Sequence, residues 1–215
     1  MASTLLLRLF GGASLECDGE RMTGAAMQRH RLALLALLAT SPAGTMSRER
    51  LMAMLWPESD HAEARHLLNV AVHALRKALH EDALLSVGRD LAINPALLQC
   101  DVVQFTDALS RGDFEHAVGL YAGPFLDGFF LDDAAEFERW QDAERARLDT
   151  LYANALERLA AAAEGRGQAS VAIGWWRRLV RHDQGNVRAL LHLMEALEVV
   201  GARAEALSWR TRMPR

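Results

Sequence analysis

The residues best suited to chemistry lie between Arg65 and Lys77. At about 100° per residue, Arg65, His66, Asn69, His73, Arg76, Lys77 and His80 gather on one side of a helix, while Ala64, Leu67, Leu68, Ala71, Leu75 and Leu79 gather on the other. No acidic residue interrupts the stretch from Arg65 to His80. These side-chain types match what a nucleic acid presents: arginine suits guanine, asparagine suits adenine, and lysine or protonated histidine suits backbone oxygens. The pattern predicts a helix turned toward an anionic surface, with double-stranded DNA as the leading partner. An ordinary solvated helix shows the same two stripes, so the weight of the reading rests on the elements around it.

Those elements are short and well punctuated. Leu5, Leu7 and Leu9 alternate, Gly11-Gly12 follows, and a second alternating run surrounds Leu15 and Cys17 before Asp18-Gly19, a favoured hairpin pair. This predicts a small antiparallel sheet. A Leu/Ala-rich helix is expected from about Met27 to Ala39, ending at Ser41-Pro42-Ala43-Gly44. A second helix starts after Ser47 as N-cap, with Arg50 where a capping box wants Glu, and runs to Trp56-Pro57. Ser59 or Asp60 caps the two-faced third helix. Leu84 to Val87 and Leu91 to Ile93 then read as strands around Gly88-Arg89-Asp90. Sheet, three helices and hairpin in that order predict a winged helix-turn-helix over residues 1–98, with the third helix in the major groove and the wing near the minor groove.

Strand signals end at Asp101, and residues 99–215 read as all helical. Gly167 and Gly201 stand 34 positions apart, and the same offset carries Leu156 onto Leu190, Leu159 onto Leu193, Ala172 onto Ala206, Ile173 onto Leu207 and Trp175 onto Trp209. A 34-residue period with a turn glycine and a small residue five positions later is the tetratricopeptide pattern. Gly112 and Ala117 repeat that spacing, whereas Gly123 to Phe130 break it and read as a longer loop or an extra helix. Trp175, Trp176 and Trp209 are expected mostly in the core. The predicted fold class is mostly α in two domains: an α+β winged helix-turn-helix, then an all-α tetratricopeptide-like repeat domain.

Several blocks fall in an order that resembles the antibiotic-regulatory type of bacterial transcriptional activators. They are Leu7 to Gly11 (LRLFG), Leu51 to Pro57 (LMAMLWP), Leu75 to Leu79 (LRKAL), Asp101-Val102 with Phe105, Ala117 to Gly123 (AVGLYAG), and Trp140 with Arg145 and Leu148. The resemblance covers nearly the whole chain. It implies a winged domain of the response-regulator kind joined to a bacterial transcriptional activation domain. It also implies binding to direct repeats near promoters, protomers paired or placed head to tail on DNA, and contact with RNA polymerase. On its terms Arg65, His66, Asn69, His73, Arg76 and Lys77 lie on the groove-binding helix and Arg89 lies in the wing; their side-chain types make Arg76 the first choice for a guanine contact and Asn69 for a base-edge hydrogen bond, with Lys77, Arg65 and Arg89 anchoring phosphates. The chain departs from the family where a glycine-tyrosine pair is usual in the wing; here Gly88-Arg89 is followed by Asp90, which would oppose a phosphate.

Composition narrows the field further. The net charge is −4, so attraction to DNA must be local. Residues 1–99 carry ten Lys or Arg against ten Asp or Glu, and residues 100–215 carry fourteen against eighteen, so the excess acid sits in the second half. Cys17 and Cys100 form no ligand-like pair, no long apolar run suits a membrane, and a cytoplasmic, nucleoid-associated protein is expected. No phosphate-loop, GxSxG or HExxH motif is present, so neither catalysis nor a cofactor is expected. His66, His73 and His80 recur every seven residues, two turns apart and too far for a shared metal. Asp132, Asp133, Glu136 and Glu138 read as support for a helix start. The reading from another class is a protein-interaction scaffold that has lost DNA binding and works through the helical-repeat groove; Asp90 and the sparse Arg/Lys content of the third helix favour it.

Overall fold

The computed structural model describes residues 5–41 and 44–210. Two compact units are present, Met1–Asp107 with Leu120–Arg147 and Ala108–Gly119 with Leu148–Arg215.

In the first unit, β1 (Leu5–Arg8), β2 (Ser14–Cys17) and β3 (Glu20–Arg21) form antiparallel pairs, and β7 (Leu98–Cys100) adds parallel to β1. Asp18 and Gly19 take φ of 52° and 87° between the paired Cys17 and Glu20. Positive φ at both central positions is the type I′ geometry that Asp-Gly favours. Alternation puts Leu5, Leu7 and Leu9 into the core. The sequence reading placed no strand between Ile93 and Asp101, where β7 lies.

Helix α1 (Arg29–Thr40) is buried along the whole run Leu32–Leu38, as a central helix must be. A 3-10 turn, Gly24–Met27, occupies the expected helix start. Its predicted stop falls partly outside the described residues, at Pro42 and Ala43. Next come β4 (Thr45–Ser47) and α2 (Arg48–Leu55), where the Ser47 hydroxyl accepts the Arg50 N–H at 3.3 Å. Of the two candidate caps for α3 (His61–Ala78), Asp60 is the one used: its Oδ1 accepts the N–H groups of Ala62 and Glu63, each at 2.9 Å. Ala64, Leu68, Ala71, Val72 and Leu75 form the buried stripe of α3. Leu75 is fully buried, so truncation to alanine costs about 2–5 kcal/mol. Strands β5 (Leu84–Val87) and β6 (Asp90–Ile93) make the wing, and β4 joins them in the order β4-β6-β5.

Two of the family-like sequence blocks meet in this unit. Phe10 lies 4.8 Å from Tyr121 between ring centroids, the Gly11 N–H donates to the Pro124 carbonyl at 2.9 Å, and the Leu126 N–H donates to the Leu9 carbonyl at 2.8 Å. A Cβ on Gly123 would sit 3.1 Å from the Gly11 Cα, so glycine is needed for the backbones to approach. The carboxylate of Asp101 accepts the N–H groups of Leu9, Phe10 and Val102. Burial raises that carboxyl above its ordinary value, with the three N–H groups pulling the other way. Residues 121–134 form a loop without a helix, the first of the two predicted alternatives. Gln141 donates to the Leu126 and Phe129 carbonyls, and Arg145 to those of Phe125 and Leu126, so the start of α6 (Ala135–Gly165) holds the loop in place.

The second unit contains the helical repeat. Helix turns occur at Gly112, Gly167 and Gly201, with φ of 76°, 70° and 80°. Each turn closes alike: the N–H after the glycine donates to a carbonyl five residues back, Asp113 to Ala108, Gln168 to Ala163 and Ala202 to Leu197, all at 2.9 Å. That is a Schellman cap, which requires the left-handed residue. Ala117, Ala172 and Ala206, five positions beyond each glycine, are buried. Helices α5 (Phe114–Leu120), α7 (Ala169–His182), α8 (Val187–Val199) and α9 (Arg203–Arg210) carry the pattern. Trp176 and Trp209 are in the core as predicted, whereas Trp175 is half-buried. Leu207 departs from its 34-residue counterpart: Ile173 is buried and Leu207 is 60% exposed. None of the described helices is long and apolar enough to cross a membrane.

Candidate nucleic-acid interface

The third helix presents the cationic stripe outward. Arg65, His66, Asn69, His73 and Lys77 are exposed, and Arg89 is exposed at the wing tip. Among the described residues, the side chains of Arg65, His66, His73, Lys77 and Arg89 have no hydrogen-bond or ion-pair partner in the protein. Arg48, Arg65, Asn69, Gly88 and Arg89 line one cleft between the start of α2, the first half of α3 and the wing, and Glu49 is its acidic member. The Glu49 carboxylate lies 3.1 Å from His61 Nε2.

Arg76 stands apart from the stripe to which its spacing assigns it. Its guanidinium donates from Nε and Nη2 to the Leu84 carbonyl at 3.0 and 2.8 Å, and from Nη2 to the Ser86 hydroxyl at 3.2 Å. The side chain is half-buried and ties α3 to strand β5. As placed, its Nε and Nη2 donors serve the wing, which corrects the expectation of a wholly free guanidinium aimed at guanine. The physical reason is tertiary: β5 is an edge strand whose outward carbonyl needs a donor.

The wing turn has Gly88 at φ 61° between paired Val87 and Asp90, and glycine at the first central position suits a type II′ turn. Arg89 thus occupies the tip. Asp90 does not: it pairs with Ser47 within the sheet and is half-buried.

Two residues at this surface escaped the sequence reading. Arg48, at the first turn of α2, donates from Nη1 to Asn69 Oδ1 at 3.1 Å and from Nη2 to Ser86 at 3.5 Å, while its backbone N–H donates to the Arg89 carbonyl at 3.3 Å. Its position directly after the N-cap Ser47 was the available signal, because the start of the second helix borders the groove in such folds. Val70 is 44% exposed beside the polar stripe, where a branched side chain suits a thymine methyl. Among the described residues no group of three His, Cys, Asp or Glu could hold a metal.

Comparison with known proteins agrees with this architecture. Residues 103–213 match the family described as bacterial transcriptional activator domain. Residues 23–87 match the family described as transcriptional regulatory protein, C terminal. No curated protein matches the chain. Among solved structures, Mycobacterium tuberculosis EmbR in complex with a low-affinity phosphopeptide is similar in fold, with a TM-score of 0.67 at 21% identity; the match covers 98% of this chain and 59% of that one. The chain therefore belongs to the bacterial transcriptional activator domain family, in the antibiotic-regulatory arrangement of a winged helix-turn-helix followed by a tetratricopeptide-like domain. The families it matches are transcriptional regulators.

Proposed function

We propose that this chain is a sequence-specific activator that binds double-stranded DNA at direct repeats near promoters, with residues 1–98 gripping DNA and residues 99–215 contacting RNA polymerase. The observation that carries the reading is the outward face of α3, free of acidic residues from Arg65 onward and flanked by Arg48 and Arg89 in a cleft where Glu49 is the one acidic lining residue among the described residues. In this reading Arg65, Lys77, Arg48 and Arg89 contact phosphates, Asn69 and Val70 face base edges, and His66 and His73 line the groove. Arg76 supports the wing. The protomers pair or lie head to tail on successive repeats, in the cytoplasm on the nucleoid. Exposed Leu191, Val199 and Leu207 in the second unit suit protein contact rather than DNA. No catalytic step and no cofactor enters this role.

A fluorescence-anisotropy titration of the full chain on duplex DNA at two salt concentrations tests it. Affinity is expected to fall steeply with salt, because phosphate contacts release counterions. The scaffold reading predicts no salt-sensitive duplex binding.

A further inference from the structure

The amide of Asn69 is oriented before any DNA arrives. Its carbonyl oxygen faces the Arg48 guanidinium at 3.1 Å. A guanidinium carries donors only, so the atom turned toward it must be the oxygen, and the Nδ2 donors are left facing outward. Arg48 is held in turn by the wing through Ser86 Oγ, which also receives the Arg76 donor at 3.2 Å. The order Arg76, Ser86, Arg48, Asn69 thus links β5, the start of α2 and the exposed face of α3 in one polar chain.

An asparagine with both amide ends free suits adenine, because Oδ1 accepts from N6 while Nδ2 donates to N7. That pairing is disfavoured here. One lone pair of the oxygen already accepts from a cation, and its positive charge opposes the approach of a second donor such as the adenine amino group. What remains is a donor, best matched to guanine, whose N7 and O6 both accept, whereas adenine offers N7 alone beside its N6 donor. The neighbouring exposed cations, Arg65 on α3 and Arg89 on the wing, are also donors only. Glu49 is the acceptor-rich side chain in the cleft, and His61 engages it at 3.1 Å.

We infer that Asn69, with its oxygen held by Arg48, reads a guanine edge rather than adenine, and that Arg48 is the positioning residue that sets this choice. The inference rests on the DNA-binding reading above and names the base class that this site selects.

The test is selection of bound sites from a randomised duplex pool by the full-length protein and by the variants Asn69→Ala and Arg48→Met, followed by sequencing. The base pair whose preference disappears in Asn69→Ala is the one that Asn69 contacts. At that pair the wild type is expected to enrich G·C, and Arg48→Met to raise the A·T-to-G·C ratio about tenfold by freeing the oxygen. Loss of the Arg48 charge weakens all sequences and leaves base ratios elsewhere unchanged, so the shift at one pair separates positioning from general affinity. Circular dichroism of each variant checks that the fold is intact. A·T enrichment at that pair in the wild type overturns the inference, as does a folded Arg48→Met with unchanged base ratios or an Asn69→Ala whose base preferences match the wild type throughout. Those outcomes leave the DNA-binding reading standing, whereas absence of any salt-sensitive duplex binding removes both.

Discussion

Replacing Arg76 by alanine separates wing support from base reading. The substitution removes two charge-assisted bonds to the Leu84 carbonyl, at 3.0 and 2.8 Å, and one to the Ser86 hydroxyl at 3.2 Å. Bonds to a charged donor contribute about 1.5–3 kcal/mol when well buried. Arg76 is half-buried and water can reach the vacated carbonyl, so the expected loss is about 1–2 kcal/mol. For a chain of this size that lowers the melting temperature by roughly 3–6 °C. Lysine keeps the charge but lacks the planar fork, so Arg76→Lys should recover only part of the loss. Differential scanning calorimetry reads the stability, and site selection on the same samples reads base preference. The expected result is a lower melting temperature with base ratios changed only at the pair that Asn69 faces, through the shared Ser86. An unchanged melting temperature with lost guanine preference at a different base pair would refute the reasoning and make Arg76 a base reader.

Further expectations follow from the same geometry. Lys77→Ala should weaken binding to all duplex sequences about equally and flatten the salt dependence by about one unit, measured by anisotropy across salt. Asp60→Ala removes acceptors for the Ala62 and Glu63 N–H groups and should lower stability by about 1 kcal/mol in urea unfolding. Burial pushes the Cys100 thiol up to about 12, so a thiol reagent at pH 8 should modify Cys17 alone in the native protein and both cysteines after unfolding. His30 stacks on Trp56 at 5.3 Å, and burial lowers its imidazole below 6.5. Because the unfolded chain then takes up the proton more readily, stability should be full above pH 6.5 and decline as pH falls through the lowered value, with the decline reduced in His30→Gln melts.

Much of the architecture was legible because it is written in local chemistry. Ser47 and Asp60 mark helix starts through bonds within three residues, and Gly112, Gly167 and Gly201 mark helix ends through a left-handed backbone that other residues rarely adopt. The stripe of α3 is likewise a local periodicity, and burial of Ala64, Leu68, Ala71 and Leu75 follows it. What escaped depends on distant partners. Strands β4 and β7 have three residues each and exist through pairing with β6 and β1; their own sequences carry too little alternation to signal a strand. Arg76 has the spacing of a groove-facing residue, and only the nearness of Leu84 turns it toward the wing. Arg48 was hidden for the converse reason, since it joins the face of α3 from a different helix.

Salt dependence of duplex binding by the intact chain tests the central claim most directly. Four side chains, Arg48, Arg65, Lys77 and Arg89, are assigned to phosphates, which predicts a slope of about −3.6 in log K against log salt and roughly a hundredfold loss between 50 and 200 mM. A flat response, or no binding at low salt, would contradict the account.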